Sequence, residues 1–260
     1  MTAREGQLAG LRALVTGGAA GIGAAIVDAL LASGATVAVL DREVDDAVAD
    51  ERPGVTLVRA DVSDREGVEN AVRVAEERLG GIDIVVNNAA VGAQGDIAAN
   101  DDEEWARVLS INVTGIARVS AAALPALRRS RAAAVCNVAS IAAGVGLPQR
   151  ALYSASKGAV AALTRAMAAD HIREGIRVNS VSPGTADTPW VQRLLAAAAD
   201  PVAERAALEA RQPHGRLVSA AEVAGAVLYL VSPLSGSTTG TVLDVDGGVS
   251  GLRLRPVDVK

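Results

Sequence analysis

The hydrophobic positions along this chain fall into two alternating patterns. Short, nearly continuous runs of valine, isoleucine, leucine and alanine alternate with longer stretches in which alanine and leucine mix with polar residues. Buried strands of a parallel sheet give the first pattern, and helices that cover the sheet give the second. The apolar runs predict seven strands, at residues 11–16, 36–41, 55–60, 82–87, 132–139, 176–182 and 241–245.

This alternation predicts the fold class. We expect an α/β fold with a Rossmann-type, doubly wound, seven-stranded parallel sheet and helices on both faces. Two helix starts carry the spacing of a capping box, Ser63 with Glu66 and Ser219 with Glu222. These boxes support the order of elements and say nothing about function.

The chain is expected to form one domain. No internal repeat or low-complexity linker divides it, so we predict a single domain over residues 1–260 with a core at 8–248. Residues 183–216 follow a strand and look the least regular. They are interpreted either as a lid over a substrate or as an ordinary variable insertion. The tail, residues 249–260, either crosses a subunit interface or frays.

Composition and charge narrow the function classes. A formal net charge of -5 and an aromatic content of 2% offer neither a basic stripe nor a stacking platform for nucleic acid. The single cysteine, Cys136, lies in an apolar run and is interpreted as a buried structural thiol. His171 and His214 are too isolated to form a metal site. We find no signal segment and no uncharged apolar run of about 18 residues, so we expect a cytoplasmic protein with no membrane partner.

A glycine-rich segment gives the first chemical signal. Residues 17–23 read Gly-Gly-Ala-Ala-Gly-Ile-Gly, between a predicted strand and an alanine-rich helix. Gly17 permits a tight turn, Gly21 lets the backbone approach a pyrophosphate, and Gly23 lets the helix pack closely on the strand. Glycines also gather in plain turns, but the flanking strand and helix favour a dinucleotide site at the helix N-terminus.

The end of the second strand bears on the choice of cofactor. Asp41 can accept hydrogen bonds from ribose hydroxyls, and its charge repels a 2′-phosphate, which favours NAD over NADP. Arg42 argues the other way, because a guanidinium can bind that phosphate. No basic residue lies within 17–23 to assist it. We expect NAD, with NADP as the less favoured alternative.

Tyr153 and Lys157 form the second signal, since residues four apart share one face of a helix. A hydride transfer to a carbonyl needs a proton for the developing alkoxide. A tyrosine with a pKa of about 10 supplies it poorly at neutral pH unless nearby positive charge favours the phenolate. Lys157 can provide that charge. Taken alone, the pair is also typical of a solvated helix face.

Further residues make the pair specific. Asn87-Asn88-Ala89-Ala90 follows a strand, Asn112 lies in a helical stretch, Ser140 ends a strand, and Pro183-Gly184-Thr185 ends another. In this order the residues resemble the short-chain dehydrogenase/reductase family over roughly residues 8–248. The resemblance implies that Tyr153 is the general acid/base, that Lys157 lowers its pKa and holds the nicotinamide ribose, that Ser140 orients the substrate oxygen, and that Asn112 anchors a water in a proton relay.

The resemblance also implies the cofactor contacts. These are Gly17, Ala20, Gly21, Ile22, Gly23, Asp41, Arg42, Asp61, Val62, Asn88, Ala89, Ala90, Tyr153, Lys157, Pro183, Gly184, Thr185 and Thr188. Ala90 is a departure, because the family more commonly has glycine there. The added methyl group puts the local backbone geometry in doubt and leaves the chemistry untouched.

The substrate is less constrained by the sequence. Arg150, three residues before Tyr153, either aims a guanidinium at a substrate carboxylate or is an ordinary surface arginine. Residues 150–157 and 183–190 resemble the branch of the family with cytosolic-type 3-hydroxybutyrate dehydrogenases and sugar or deoxy-sugar-acid dehydrogenases. The substrate contacts expected on this basis are Gln94, Gln149, Arg150, Trp190 and Arg193.

Together these signals predict an NAD-dependent oxidoreductase. It would interconvert a secondary alcohol and a ketone, or a lactol and a lactone, on a small sugar, sugar acid or hydroxy acid. An NAD(H)-binding sensor or scaffold without turnover is the main alternative, and epimerisation or dehydration is another. The intact set of Asn112, Ser140, Tyr153 and Lys157 favours an enzyme. The family resemblance implies a homotetramer formed through 101–129, 151–172 and the C-terminal region.

Overall fold

The computed structural model describes residues 6–44, 52–196 and 198–255. The strands are β1 (Arg12–Thr16), β2 (Thr36–Asp41), β3 (Val55–Arg59), β4 (Ile84–Asn87), β5 (Ala134–Val138), β6 (Arg177–Pro183), β7 (Ala186–Asp187), β8 (Val218–Ser219) and β9 (Val242–Val245). The α-helices are α1 (Gly21–Ala32), α2 (Arg65–Leu79), α3 (Asp102–Leu109), α4 (Gly115–Leu127), α5 (Ala151–His171), α6 (Pro189–Ala196), α7 (Pro201–Ala210) and α8 (Ala220–Val231).

Seven of these strands form one parallel sheet in the order β3-β2-β1-β4-β5-β6-β9. The predicted strands and the doubly wound α/β class are confirmed, and each strand lies within two residues of its predicted bounds. Every residue of β4, β5 and β6 is buried, including polar ones such as Asn87, Asn137 and Asn179, so these central strands are covered on both faces. The chain reverses its direction of winding between β1 and β4, where such sheets bind their ligands.

Helices cover both faces of the sheet. Adjacent residues of a strand point to opposite faces, so Val15 packs on the side of α1 and α8 while Leu14 packs on the side of α2 and α4. Both side chains are fully buried. The core is built almost entirely from valine, leucine, isoleucine and alanine, as a chain without phenylalanine requires.

One predicted helix start is confirmed and one is wrong. Ser219 and Glu222 form a complete capping box at α8, with Ser219 Oγ accepting from Glu222 N at 3.1 Å. At α2 the N-cap is Asp64, one residue later than predicted. The Ser63 hydroxyl instead donates to Asp61 at 2.7 Å, because the preceding turn brings that carboxylate within reach.

Residues 183–216 are more regular than the sequence suggested. Two of the prolines that look like breakers, Pro189 and Pro201, are the first residues of α6 and α7, a position where proline is favoured. Val191 and Leu195 of α6 pack with Leu208 of α7 in a small separate core. The segment is a packed helix pair at the carboxyl end of the sheet.

One helical run, residues 102–127, is long and apolar enough by length and composition alone to cross a membrane. A single such run is weak evidence, because core helices of soluble proteins meet the same criterion. Val119 and Ala123 within it are fully buried against the sheet. Packing inside the fold therefore accounts for its apolar face.

Candidate active site

Two adjoining cavities open at the carboxyl end of the sheet, around the ends of β1 and β4. The glycine-loop cavity, about 380 Å³, is lined by residues of 17–23 together with Asp41 and Asp61. The tyrosine cavity, about 400 Å³, is lined by Ser140, Tyr153 and Lys157 among others. Seven residues line both, so the two form one continuous cleft, and they are Ile22, Asn88, Ala90, Val91, Thr188, Trp190 and Arg193.

The glycine loop depends on the absence of side chains. Gly17 and Gly21 have φ of +66° and +59°, a region that side chains rarely adopt. A β-carbon on Gly23 would lie 1.9 Å from the carbonyl oxygen of Gly17. The N-cap of α1 is Ala20, which has no side chain to cap the helix, so the first N–H groups stay available to an anion.

Asn88 braces this loop from the neighbouring strand. Its side-chain amide donates to the carbonyl oxygens of Thr16 at 3.1 Å and Gly17 at 2.9 Å. In return, Thr16 Oγ1 accepts from the backbone N–H groups of Asn88 at 3.0 Å and Ala89 at 3.1 Å. The ends of β1 and β4 are thereby locked together at the centre of the cleft.

The far end of the glycine-loop cavity is acidic. Asp41 accepts from the backbone N–H groups of Ala19 and Glu43, both at 3.0 Å, so its position is fixed. Glu43 also lines the cavity and accepts from Arg42 Nε at 3.0 Å, in a pair that is largely exposed. Sequence reasoning missed Glu43, although an acid next to Arg42 was the available signal.

Asp61 adds a second carboxylate on the adjacent wall of this cavity. A hydrogen bond from Ser63 is the main cause that lowers its pKa, and the charges of Arg42 and Arg118 contribute in the same direction. Asp61 is therefore ionised at neutral pH.

Ser140, Tyr153 and Lys157 converge on the tyrosine cavity. Ser140 follows β5, whereas Tyr153 and Lys157 lie one turn apart near the start of α5. Burial is the largest influence on Tyr153 and raises its pKa, while a hydrogen bond with Ser140 and the charge of Arg150 oppose this rise. The tyrosine is thus protonated at neutral pH in the protein as it stands.

Lys157 is held beside this tyrosine rather than against its oxygen. Its ammonium donates to the carbonyl oxygen of Val138 at 2.8 Å and lies 5.8 Å from the centre of the Tyr153 ring. Burial lowers the pKa of Lys157 to about 8. The predicted effect of Lys157 on the pKa of Tyr153 stays a prediction.

Asn112 lies behind the cleft in a π-helical segment, residues 110–114, between α3 and α4. Such segments often mark functional sites. Its amide bonds the backbone of Val91 twice and donates to Ser156 Oγ at 3.1 Å. The side chain is buried and both of its N–H groups are engaged, so its predicted water-anchoring role stays a prediction.

The structure brings together most of the predicted site residues. Every predicted cofactor contact lines one of the two cavities, and Arg150, Trp190 and Arg193 line the tyrosine cavity. Gln94 and Gln149 do not join this set, because both are exposed and neither lines the cleft; their contact with a substrate stays a prediction. Gly95, which follows Gln94, pairs with Arg150 at the start of α5, and the carbonyl oxygen of Gln149 accepts from Gly95 N at 3.1 Å.

Sequence reasoning also missed Arg211, at the C-cap of α7, which lines the tyrosine cavity. No local pattern marks it, since its position depends on how α7 packs onto α6. Trp190, by contrast, was predicted correctly as a lining residue. It is 48% exposed and lies against Gly92, where the two cavities join.

Metal and thiol chemistry find no support in the described part of the chain. Residues 6–44, 52–196 and 198–255 contain no group of three or more His, Cys, Asp or Glu that could hold a metal ion. Cys136 is fully buried, as predicted, and burial raises its pKa to about 12. It is therefore an unreactive structural thiol.

Comparison with known proteins identifies the family. A family model described as Enoyl-(Acyl carrier protein) reductase matches residues 17–250, which is most of the chain. The chain belongs to the short-chain dehydrogenase/reductase family. From that match we take the family and not the enoyl substrate, since the relatives below are named as dehydrogenases of hydroxyl compounds.

Three similar proteins place this short-chain dehydrogenase/reductase more closely. The "Inactive 2-(S)-hydroxypropyl-CoM dehydrogenase 2" of Xanthobacter autotrophicus is 39% identical over 86% of this chain and 99% of its own length. The cis-4-hydroxycyclohexanecarboxylate dehydrogenase of Sinomonas cyclohexanicum is 38% identical over 91% and 95%. The ligand-free structure of Thermoplasma acidophilum aldohexose dehydrogenase superimposes with a TM-score of 0.89 at 29% identity, over 97% and 99%.

These findings confirm the predicted enzyme class. This short-chain dehydrogenase/reductase is an oxidoreductase of the class that acts on CH–OH groups.

Proposed function

We propose that the protein is an NAD-dependent dehydrogenase. It interconverts a secondary alcohol and a ketone, or a lactol and a lactone, on a small sugar, sugar acid or hydroxy acid. The observation that carries this proposal is that Ser140, Tyr153 and Lys157 line one cavity, which is continuous with the cavity around the glycine loop. The relatives named for hydroxypropyl and hydroxycyclohexane substrates support a secondary alcohol.

The residues of the cleft fit a dinucleotide. The Gly17–Gly23 contact leaves room for backbone only, and the uncapped start of α1 offers N–H groups to a pyrophosphate. Asp41 and Asp61 would lie at the adenosine end, and Tyr153, Lys157 and residues 183–188 at the nicotinamide end. When bound, the nicotinamide supplies the hydride acceptor or donor.

The chain's own residues then handle the proton. The Tyr153 phenolate takes the hydroxyl proton as the alcohol is oxidised and returns it in reduction, while Ser140, which lines the same cavity, orients the substrate oxygen. Lys157 contributes positive charge beside the ring, which favours the phenolate. Positioning and electrostatics are therefore what the protein adds to the chemistry of the cofactor.

NAD is favoured over NADP by the charges at the adenosine end. Asp41 and Glu43 line the cavity, and Arg42, the cation available there to a 2′-phosphate, is already paired with Glu43. A phosphate group would have to displace that pair and approach Asp41. The cost of like-charge contact in a partly buried cleft opposes this.

A sensor without turnover is the second candidate, and one specific observation keeps it in view. A relative with 39% identity is named as inactive. Ser140, Tyr153 and Lys157 are intact and share one cavity, with Asn112 behind it, which favours turnover.

The deciding experiment is NADH formation, followed by absorbance, with a panel of hydroxy acids, sugar acids, aldoses and simple secondary alcohols. We expect NAD-dependent oxidation of one group, abolished in Tyr153→Phe, with NADH binding retained. Tyr229→Phe is the matched control, because the chain has two tyrosines and Tyr229 lies exposed on α8. Turnover that survives Tyr153→Phe would refute the catalytic assignment, and NADH binding with no turnover across the panel would favour the sensor.

We also propose a cytoplasmic homotetramer, with contacts through 101–129, 151–172 and the C-terminal region. An apolar depression between α4 and α5, lined by Leu124, Leu163 and Met167, supports this surface as a subunit contact. Light scattering should give the mass of four chains, and a monomeric mass at micromolar concentration would refute the assembly.

A further inference from the structure

Three arginines line the tyrosine cavity from separate elements. Arg150 is the N-cap of α5, Arg193 lies on α6, and Arg211 is the C-cap of α7. They are 43 and 18 residues apart along the chain, so only the packing of the three helices brings them to one cavity.

None of the three is neutralised within the described part of the chain. No carboxylate there lies within ion-pair distance of Arg150, Arg193 or Arg211, whereas Arg205 on α7 pairs with both Asp187 and Glu209. Glu204 is near enough for its charge to act on Arg150, but it forms no ion pair with it.

Arg150 and Arg211 are close enough for their charges to repel. Burial is the first cause that lowers the pKa of Arg150 and the charge of Arg211 is the second, and both outrank the opposing effects of Tyr153 and Glu204. Arg150 is partly buried and Arg211 lies at the exposed rim, so the repulsion acts on a guanidinium that burial already disfavours in its charged form. A bound anion would relieve that repulsion.

The backbone at Arg150 is held in an unusual conformation. Gln149 has φ of 57° and is the non-glycine residue with positive φ among those described. Its carbonyl accepts from Gly95 N at 3.1 Å, and Ala151 N donates to Gly95 O at 3.2 Å. Strain of this kind persists where surrounding contacts enforce it and is frequent at binding sites.

Arg211 is anchored through its neighbour. The side chain of Gln212 is 1% exposed and donates to the carbonyl oxygen of Arg216 at 2.7 Å. Gln212 Nε2 also donates to the carbonyl oxygen of Thr185 at 3.3 Å, and Thr185 itself lines the cavity. The C-cap of α7 is thereby fixed relative to the catalytic end of the cleft.

The rest of the lining is mostly aliphatic. Leu147, Val191, Leu194 and Leu208 line the same cavity, and the two glutamines expected to bind hydroxyl groups lie outside it. This wall suits a compact hydrocarbon body better than a polyhydroxylated sugar.

We propose that the substrate carries an oxyanion, held between Arg150 and Arg211 with Arg193 at the mouth of the cavity, while its hydroxyl group reaches Tyr153. The substrate class is then a hydroxy acid with an apolar body, and a carboxylate is the simplest such anion. This inference rests on the proposed function, because it takes the tyrosine cavity as the substrate site. Planar guanidinium groups are well matched to carboxylates.

The test compares two unreactive probes of equal size and different charge, cyclohexanecarboxylate and cyclohexanecarboxamide. Each is titrated calorimetrically into the full-length protein saturated with NADH. We expect the carboxylate to bind about tenfold more tightly than the carboxamide. Arg150→Gln and Arg211→Gln should each weaken carboxylate binding by about tenfold and leave carboxamide binding unchanged.

Arg131→Gln is the matched control, because Arg131 is exposed and precedes β5 at the amino end of the sheet, away from the cavity. It should leave both affinities unchanged. Equal binding of acid and amide by the unaltered protein, no detectable carboxylate binding, or a preference that survives both cavity variants would each overturn the proposal.

Oxidation assays and probe binding together distinguish a failure of this inference from a failure of the proposed function. If Tyr153-dependent oxidation occurs with neutral polyols only, the dehydrogenase assignment stands and the anion site is refuted. If the carboxylate binds through the arginines and no alcohol is oxidised, the anion site stands and the dehydrogenase assignment fails.

Discussion

The side chain of Asn112 holds the backbone of Val91 at both of its polar atoms. Asn112 Oδ1 accepts from Val91 N at 2.8 Å, and Asn112 Nδ2 donates to Val91 O at 2.9 Å. Val91 lines both cavities, so this pair fixes the wall at the place where they join. A residue in the π-helical segment behind the cleft thus determines the shape of the cleft itself.

Replacing Asn112 by alanine should cost both stability and cofactor affinity. Val91 would lose both partners, and an unsatisfied buried polar group costs about 1–3 kcal/mol. We expect a fall of about 2 kcal/mol in the free energy of unfolding and weaker NADH binding, measured by urea denaturation and NADH fluorescence. Asn70→Ala is the control on the exposed face of α2 and should change little. Unchanged NADH affinity in Asn112→Ala would show that the bracing has no effect on the site.

Cofactor preference should depend on Asp41. Asp41→Ala removes the carboxylate that, on the proposed function, would accept charge-assisted hydrogen bonds from the ribose hydroxyls, worth about tenfold in affinity. We expect the ratio of kcat/KM for NAD to kcat/KM for NADP to fall by about tenfold. The ratio should fall further in the double variant Asp41→Ala/Glu43→Gln, because the second change frees Arg42 from its partner. A ratio that does not move in either variant would place the discrimination elsewhere.

The charge of Arg150 should be visible in the pH profile. That charge lowers the pKa of Tyr153, so its removal in Arg150→Gln raises the pKa. Alcohol oxidation needs the phenolate, which forms above that pKa. The rising limb of kcat/KM against pH should therefore move to higher pH, measured with a neutral substrate so that anion binding plays no part. Arg150→Lys retains the charge and should restore the original profile. If the rising limb lies at the same pH in the unaltered protein and in Arg150→Gln, the charge of Arg150 does not control it.

Local patterns were sufficient for the sheet and for the shared helix face of Tyr153 and Lys157. Nearly continuous apolar runs predicted most of the buried strands, and the spacing of Tyr153 and Lys157 predicted a shared helix face, because both patterns depend on residues close in sequence. The need for glycine at position 23 was predictable for the same reason, since the close contact is with Gly17, six residues away.

Features that depend on distant packing were not predictable in this way. Arg211 reaches the cavity only because α7 packs on α6, and Gln149, whose φ is 57°, lies exposed outside the cavity. Pro201 looked like a breaker but begins a helix capped by Asp200. The identity of a residue alone does not show whether a proline breaks or begins a helix, or whether an arginine reaches a cavity.

At the amino end of the sheet, opposite the site, Arg12 and Asp83 link the starts of the central strands β1 and β4. Asp83 is 3% exposed and accepts from Arg12 Nε at 2.7 Å and from Ser130 Oγ at 2.6 Å. Burial alone would raise the pKa of Asp83, but the hydrogen bonds from Arg12 and Ser130 bring it below its usual value. The ionised form is therefore favoured in the folded state.

A carboxyl group with a lowered folded-state pKa stabilises the fold above its unfolded pKa of about 4. That stabilisation is lost as pH falls through the folded pKa. Asp83→Asn should cost about 2 kcal/mol at pH 7, because it removes the charge that Arg12 and Ser130 hydrogen-bond while Arg12 stays partly solvated. It should also flatten the fall in stability below about pH 4. Glu77→Gln, which removes an exposed partner of Arg73, is the control and should change stability by less than about 0.5 kcal/mol. Urea denaturation at pH 7 and pH 3 measures both effects, and equal losses in the two variants would mean that the buried pair contributes no more than a surface one.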